Sequence, residues 1–533
     1  MAGFVDVLLR GLILVLASVS LGGVAWLAFV LRAEPHVKPD GPIALALRTV
    51  ALASGGVGLA QAAVVVVSLG ALATSHGAWP AADFFVTTFA LTATGRALWA
   101  LGVGALAWRM AGRASARGAW IALGGGALVL VGSSAVLSHA VARVDHRAAM
   151  LLLDAAHQVA AALWVGGLVH LTLYAAWRRR HAHVLATLPE RVAPAGLLVR
   201  RFSTLAFRSM AAIILAGLGL TWMYVGDAAA FVGTAYGVMI LSKVALLAAA
   251  LGLAYANRQA VRAAAGEPDV RLFRFVEVEL GLGLTILFAA ASLTSLPPAV
   301  DVTTDRATVA EVAARFVPAP PRLISPPIDE LLRTADPLMG RQLERKPVER
   351  AWSEYNHHWA GLFVVTMGVL AMLERVGLRA ARHWPLVFLG LATFLFIRND
   401  PRAWPLGPAG FWESFMLPDV LQHRTFVGLV VGFGVFEWMV RTGRLAVRPW
   451  GYVFPVICAV GGGLLLTHSH AMFSLKDEFL AEVTHAPLGI LGAFVGWGRW
   501  LEVRLPQAGR WPAWTWRACL TAVGLLLLFY REG

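Results

Sequence analysis

The sequence predicts an all-α, polytopic integral membrane protein of about 14 transmembrane helices, with both termini on the outer side. Three observations carry this expectation. Of 533 residues, 58% are hydrophobic and only 14% charged, with a mean hydropathy of +0.68; a soluble chain carries about 45–50% apolar and about 25% charged residues. The apolar residues fall in runs long enough to cross the hydrocarbon core, which takes about 20 residues as a helix. Arginines then alternate from loop to loop. Large soluble chains divide into domains instead of growing one larger core, so the composition excludes a soluble enzyme, a disordered chain and a secreted disulfide scaffold. Two cysteines exclude a cysteine-based zinc or iron–sulfur framework. The net charge of +14 reflects loop arginines and not nucleic-acid binding.

In chain order, the runs are 5–31, 43–72, 84–111, 117–142, 147–177, 205–225, 236–262 and 271–296, then 355–375, 384–398, 420–441, 452–472, 485–500 and 512–530. The first run has no basic region ahead of it and no small-residue cleavage site, and is read as a span. Arg32 and Lys38 follow the first span, and Arg109, Arg113 and Arg117 follow the third. Arg178, Arg179, Arg180, Arg191, Arg200 and Arg201 follow the fifth, and Arg258, Arg262, Arg271 and Arg274 the seventh. The pattern continues with Arg375, Arg379 and Arg382, with Arg441, Arg444 and Arg448, and with Arg499, Arg504 and Arg510. Arg143 and Arg147 are the exception. The positive-inside rule places these loops in the cytoplasm and both termini outside. Three regions follow: an eight-span half over 1–300, a Pro-rich outer linker over 301–352 and a six-span half over 353–533.

Ionisable residues at membrane depth are functional candidates by default. Depth counted at about 1.5 Å per residue puts Asp154 and Lys243 at one level of the fifth and seventh spans, a candidate ion pair. Arg96 falls near mid-membrane, and Glu279 enters from the cytoplasmic side. Spacings of three and four put Asp154, His157 and Gln158 on one helical face, with His146 three turns above His157. His139 lies across the turn from His146. Together they read as a polar path: His139, His146, Asp154, His157, Lys243, Glu279 and Arg96.

In the six-span half, His357, His358, His423, His468, His470 and His485 all fall at outer span ends, and only His383 falls inside. His485 precedes Ala486-Pro487 near a helix start, where protonation is disfavoured and a lone pair stays available. His423, His468, His470 and His485 are expected to converge. Met416 and Met472 lie at similar depth. Imidazoles with thioethers suit copper, nitrogen for Cu(II) and sulfur for Cu(I), although zinc accepts the same imidazoles.

The first half resembles the copper-resistance D (CopD) family of inner-membrane proteins. The matching stretches are His139 with His146, and Asp154-Ala-Ala-His157-Gln158 through Trp164-Val-Gly166-Gly167. Arg201-Phe202-Ser203, Tyr236-Gly237, Leu241-Ser242-Lys243, Asn257-Arg258, Glu279 and the exit Leu293-Thr294…Pro297-Pro298 complete the set. The resemblance covers about residues 1–300. It implies copper handling in a bacterial inner membrane, passage inward from the periplasm and a periplasmic copper-carrier partner. The second half is similar to extensions of some long CopD-type proteins.

The leading function is therefore a copper transporter working within the lipid bilayer. No Gly-x-x-x-x-Gly-Lys-Ser/Thr run is present, so transport is passive or ion-coupled. A haem b-binding redox or assembly protein is the alternative, because His157 and His170 share a span. Thirteen residues leave those two about 140° apart, which disfavours two haems on one face. A copper sensor or chaperone-docking protein is the third reading. No nucleophile–base arrangement supports hydrolysis.

Overall fold

The computed structural model describes residues 2–76, 82–183, 195–263, 270–334, 346–467, 475–505 and 510–532. These residues are helices and connections, without a strand among them. Twelve helices are long and apolar enough to cross a membrane. Two further runs of the sequence reading, over 420–441 and 512–530, are helical too, but they carry Arg424, Glu437 and Arg441 in one and Arg517 in the other and fall outside that set.

The chain forms two compact units. The first takes Met1–Phe231, Met239–Val302 and Thr467–Ser469, and the second takes Val232–Val238, Thr303–Leu466 and His470–Gly533.

In the first unit the helices are α1 (Ala2–Ala25), α2 (Gly41–His76), α3 (Thr88–Gly112), α4 (Arg117–Gly132), α5 (Arg147–Arg180), α6 (Ala195–Val225), α7 (Ala235–Ala263) and α8 (Val270–Leu293). A π-helical turn, Trp26–Leu31, continues α1. Its core holds Ile13, Leu21, Val57, Val64 and Leu130. In lipid, small residues at crossings let backbones approach closely. Gly22 and Gly166 do so where α1 crosses α5: a Cβ at Gly166 would overlap the Ser18 carbonyl oxygen, and one at Gly22 would lie 2.5 Å from Gly166 Cα. The span expected over 117–142 stops being α-helical at Gly132. Two 3₁₀ turns follow, Ser133–Leu137 and His139–Ala142.

The second unit contains α9 (Val309–Arg315), α10 (Ile328–Thr334), α11 (Pro347–Arg375), α12 (Val387–Arg398), α13 (Pro418–Arg441), α14 (Val453–Thr467), α15 (Leu475–Glu482), α16 (His485–Arg504) and α17 (Trp511–Leu528). Pro347, Pro418 and Pro512 stand in first turns, where their missing N–H leaves no hydrogen bond unmade. The Pro-rich stretch is not a bare linker, because it folds locally into α9 and α10. A capping box of Thr308 and Glu311 starts α9.

The arginine-rich ends of these helices share one charged network. Arg441 is 4% exposed. It donates from Nη1 to Glu374 at 2.7 Å and from Nε to Glu437 at 2.7 Å. Its guanidinium carbon lies 4.7 Å from the Trp384 ring centre and 5.3 Å from that of Trp516. Arg499 and Arg517 both pair with Glu502, at 2.5 and 3.0 Å, and Trp516 donates to Glu502 at 2.7 Å. Three arginines and three glutamates thus cancel inside the bundle and tie α11, α13, α16 and α17 together.

Candidate functional site

In the first unit, α5 presents Asp154, His157 and Gln158 on one face, as the spacing predicts. Gln158 Nε2 donates to Asp154 Oδ1 at 3.0 Å. His157 Nδ1 lies 3.0 Å from the carbonyl oxygen of Ile213 on α6. A carbonyl only accepts, so Nδ1 carries the proton and Nε2 keeps its lone pair. Gly217, one turn further along α6, leaves room for the ring: a Cβ there would lie 3.2 Å from His157 Cε1.

Lys243 of α7 stands close enough for its charge to act on both Asp154 and His157. Tyr224 of α6 feels Asp154 and Arg143 and hydrogen-bonds Ser138. Asp154 and Lys243 make no direct ion pair, and Asp154 Oδ2 is buried without a hydrogen-bond partner among the described residues. An acceptor left so at membrane depth is costly.

The other residues of the expected path have separate surroundings. His146 is not on the helix face: it is the exposed N-cap of α5, with φ +54° in the left-handed region. His139 Nε2 donates to Leu293 O at 3.1 Å. Nearby, Arg143 pairs with Asp301 at 2.8 Å. Arg96 is 6% exposed and donates to Ser133 and Ser134 at 3.0 and 2.8 Å, where α4 ends; a cation there is favoured by the helix dipole. Glu279 is 5% exposed and accepts from Trp164 Nε1 at 3.1 Å. His170 is buried and donates to Val19 O at 3.1 Å.

In the second unit, His357 and His485 come together, with ring centres 6.3 Å apart. His357 stacks on Tyr530 at 4.1 Å, and its Nδ1 lies 2.8 Å from Ser353 O, so Nδ1 donates and Nε2 is the nitrogen with a lone pair. His358 does not join them. It is fully buried: Nδ1 accepts from the Arg322 N–H at 2.6 Å, and Nε2 donates to Tyr530 O at 2.8 Å. Both of its nitrogens are committed to backbone, so it braces the chain end. His423 bonds Asp400 at 2.8 Å through Nδ1. Met416 is 83% exposed. His468, His470 and Met472 lie outside the described residues. Among the described residues no three His, Cys, Asp or Glu side chains form a metal-holding group.

Sequence reasoning missed Tyr224, Tyr530 and Asp400. Asp400 stood at the depth of His423 and was legible on that ground. The carbonyls of Ile213 and Ser353, which set both imidazoles, have no side-chain signature.

A bundle of apolar helices with a half-buried carboxylate, imidazole and ammonium acting on one another defines a multi-pass membrane protein with polar groups among its spans. Residues 196–293, which hold Tyr224, Lys243 and Glu279, match the family described as Copper resistance protein D, CopD. Over this segment the chain is similar to the CopD family. A stretch of 167 residues is 29% identical to the "Copper transport protein CutJ" of Bacillus subtilis (strain 168). That match covers 31% of this chain and 28% of the relative, so the chain spans under a third of the curated protein it matches. No solved structure matches it.

Proposed function

We propose that this protein handles copper across a bacterial inner membrane as a transporter, not as an enzyme. The family match and the copper transport relative supply the metal. The observation that carries the reading is His157: a membrane-embedded imidazole fixed through Nδ1 by a backbone carbonyl, with Nε2 available beside a carboxylate. Ligating histidines use this arrangement, one nitrogen oriented by an acceptor and the other on the metal. Asp154 supplies the charge that offsets a cation at that depth, and Lys243 limits how firmly the cation is held. A site that conducts must also release. His139 lies toward the expected outer end of the path and Glu279 toward the cytoplasmic end.

Capture falls to His357 and His485 in the second unit. Two imidazoles opposed on one ion, with bonds of about 2 Å, have ring centres about 6 Å apart; the observed 6.3 Å fits that spacing. His468, His470 and Met472 are the proposed further ligands, with His423 and Met416 as outlying donors. A periplasmic copper carrier is the proposed donor, and inward the proposed direction. The test is copper accumulation in cells expressing full-length protein. His157→Ala and His157→Phe should lose most protein-dependent accumulation at unchanged membrane levels. Unchanged accumulation would take passage away from α5.

A further inference from the structure

The arginine-rich ends of α2 and α3 carry two openings that share the same pair of helices. The first is a cavity of about 480 Å³, lined by Lys38, Asp40, Gly41, Arg48, Gly112 and Trp177. Trp177 lies against Gly41, where a Cβ would come within 3.2 Å of its ring and where φ is +42°. The second is a groove of about 370 Å³ running further along the same helices, past Leu52, Gly55, Leu101, Trp108 and Arg109. Gly55 has open space where its Cβ would be, and Leu52 and Trp108 are 69% and 59% exposed, so the groove faces away from the bundle core. One turn of α2 separates Arg48, in the first opening, from Ala51 and Leu52, in the second.

The two openings differ in chemistry. The cavity offers Lys38 and Arg48 against one acidic residue, Asp40, and a tryptophan of the kind that sits at headgroup level. The groove is apolar, apart from Arg109. Basic at the helix ends and apolar along the membrane-facing side is the complement of one kind of molecule. We infer that α2 and α3 hold an anionic phospholipid, its phosphate between Lys38 and Arg48 and an acyl chain in the groove beside Gly55. Basic pockets between transmembrane helices recognise phosphate headgroups in this way. A free phosphate would share the cavity but leave the groove empty, which separates the two sources. The inference is independent of copper handling.

The test uses full-length protein in mild detergent, with thermal stability and lipid co-purification as readouts. Phosphatidylglycerol should raise the melting temperature, while phosphatidylcholine and inorganic phosphate should not. Lys38→Gln with Arg48→Gln should reduce bound phosphatidylglycerol by roughly 25-fold, two basic contacts each worth about fivefold. Gly55→Leu, which enters open space and spares the fold, should displace the lipid with the basic residues intact. Arg48→Lys should keep it. Equal stabilisation by phosphatidylcholine would show only a solvating lipid shell and overturn the inference. Stabilisation by inorganic phosphate that Gly55→Leu leaves intact would assign a free-anion site and overturn it equally.

Discussion

Arg441→Met isolates the network that holds the second unit together. The substitution keeps an unbranched apolar side chain between Trp384 and Trp516 but leaves two carboxylates without their cation. Glu437 is 1% exposed and Glu374 is 22% exposed. Removing one partner of a buried ion pair costs about 3–5 kcal/mol, because the remaining charge stays buried. For a body of some 150–250 residues, each kcal/mol shifts the melting temperature by about 2–4 °C, so the expected loss is on the order of 10 °C. Arg441→Lys keeps the charge, but a compact ammonium cannot serve two carboxylates and two indoles as a planar fork does; its loss should be intermediate. Arg441→Met with Glu437→Gln removes the more buried of the two stranded charges, leaving the more exposed Glu374, and should recover a large part of the single-variant loss. The assay is thermal unfolding of full-length protein in detergent, read by size-exclusion. A loss under about 1 kcal/mol for Arg441→Met, or a double variant no better than the single, would refute the network as the source of stability.

Three further outcomes are expected. Gly166→Val should lower the yield of folded protein sharply, since overpacking alone costs about 1–3 kcal/mol and the contact at Ser18 is backbone; unchanged stability would dismiss the α1–α5 crossing as a tight one. His358→Ala should destabilise the protein without a specific effect on copper, whereas His357→Ala should weaken copper binding at the outer face with little loss of stability. A reversed pattern would exchange their roles. Glu311 is held at about 2 by its hydrogen bonds from Lys476 and Thr308, below its ordinary 4.5. A depressed folded value means the contribution of its 2.7 Å pair with Lys476 is present above about pH 4.5 and fades as pH falls toward 2. Titration of the labelled Glu311 carboxyl by NMR checks it, and an ordinary midpoint would contradict the pairing.

The helices were legible because bilayer thickness sets their length and lipid demands internal hydrogen bonding. Asp154, His157 and Gln158 share a face as helical spacing requires. What was illegible lies where that spacing ends. His146 was read as a fourth member of the face, but it caps α5 in a left-handed conformation, which periodicity does not report. Arg96 was placed on the path from depth alone; its Nη1 and Nη2 donate to two serines at the end of α4, a contact that depth does not report. His357 and His358 are neighbours of one type, yet one meets His485 and the other is sealed by Arg322 and Tyr530. Adjacent helical residues point about 100° apart, so which one ligates depends on packing that no local pattern encodes.

Copper uptake into proteoliposomes containing the purified full-length protein tests the central claim most directly. Wild-type protein should give saturable, protein-dependent copper entry, and His157→Ala should reduce it at least tenfold while eluting as the same folded species. Copper entry no faster than in protein-free vesicles, or full entry through His157→Ala, would contradict the account.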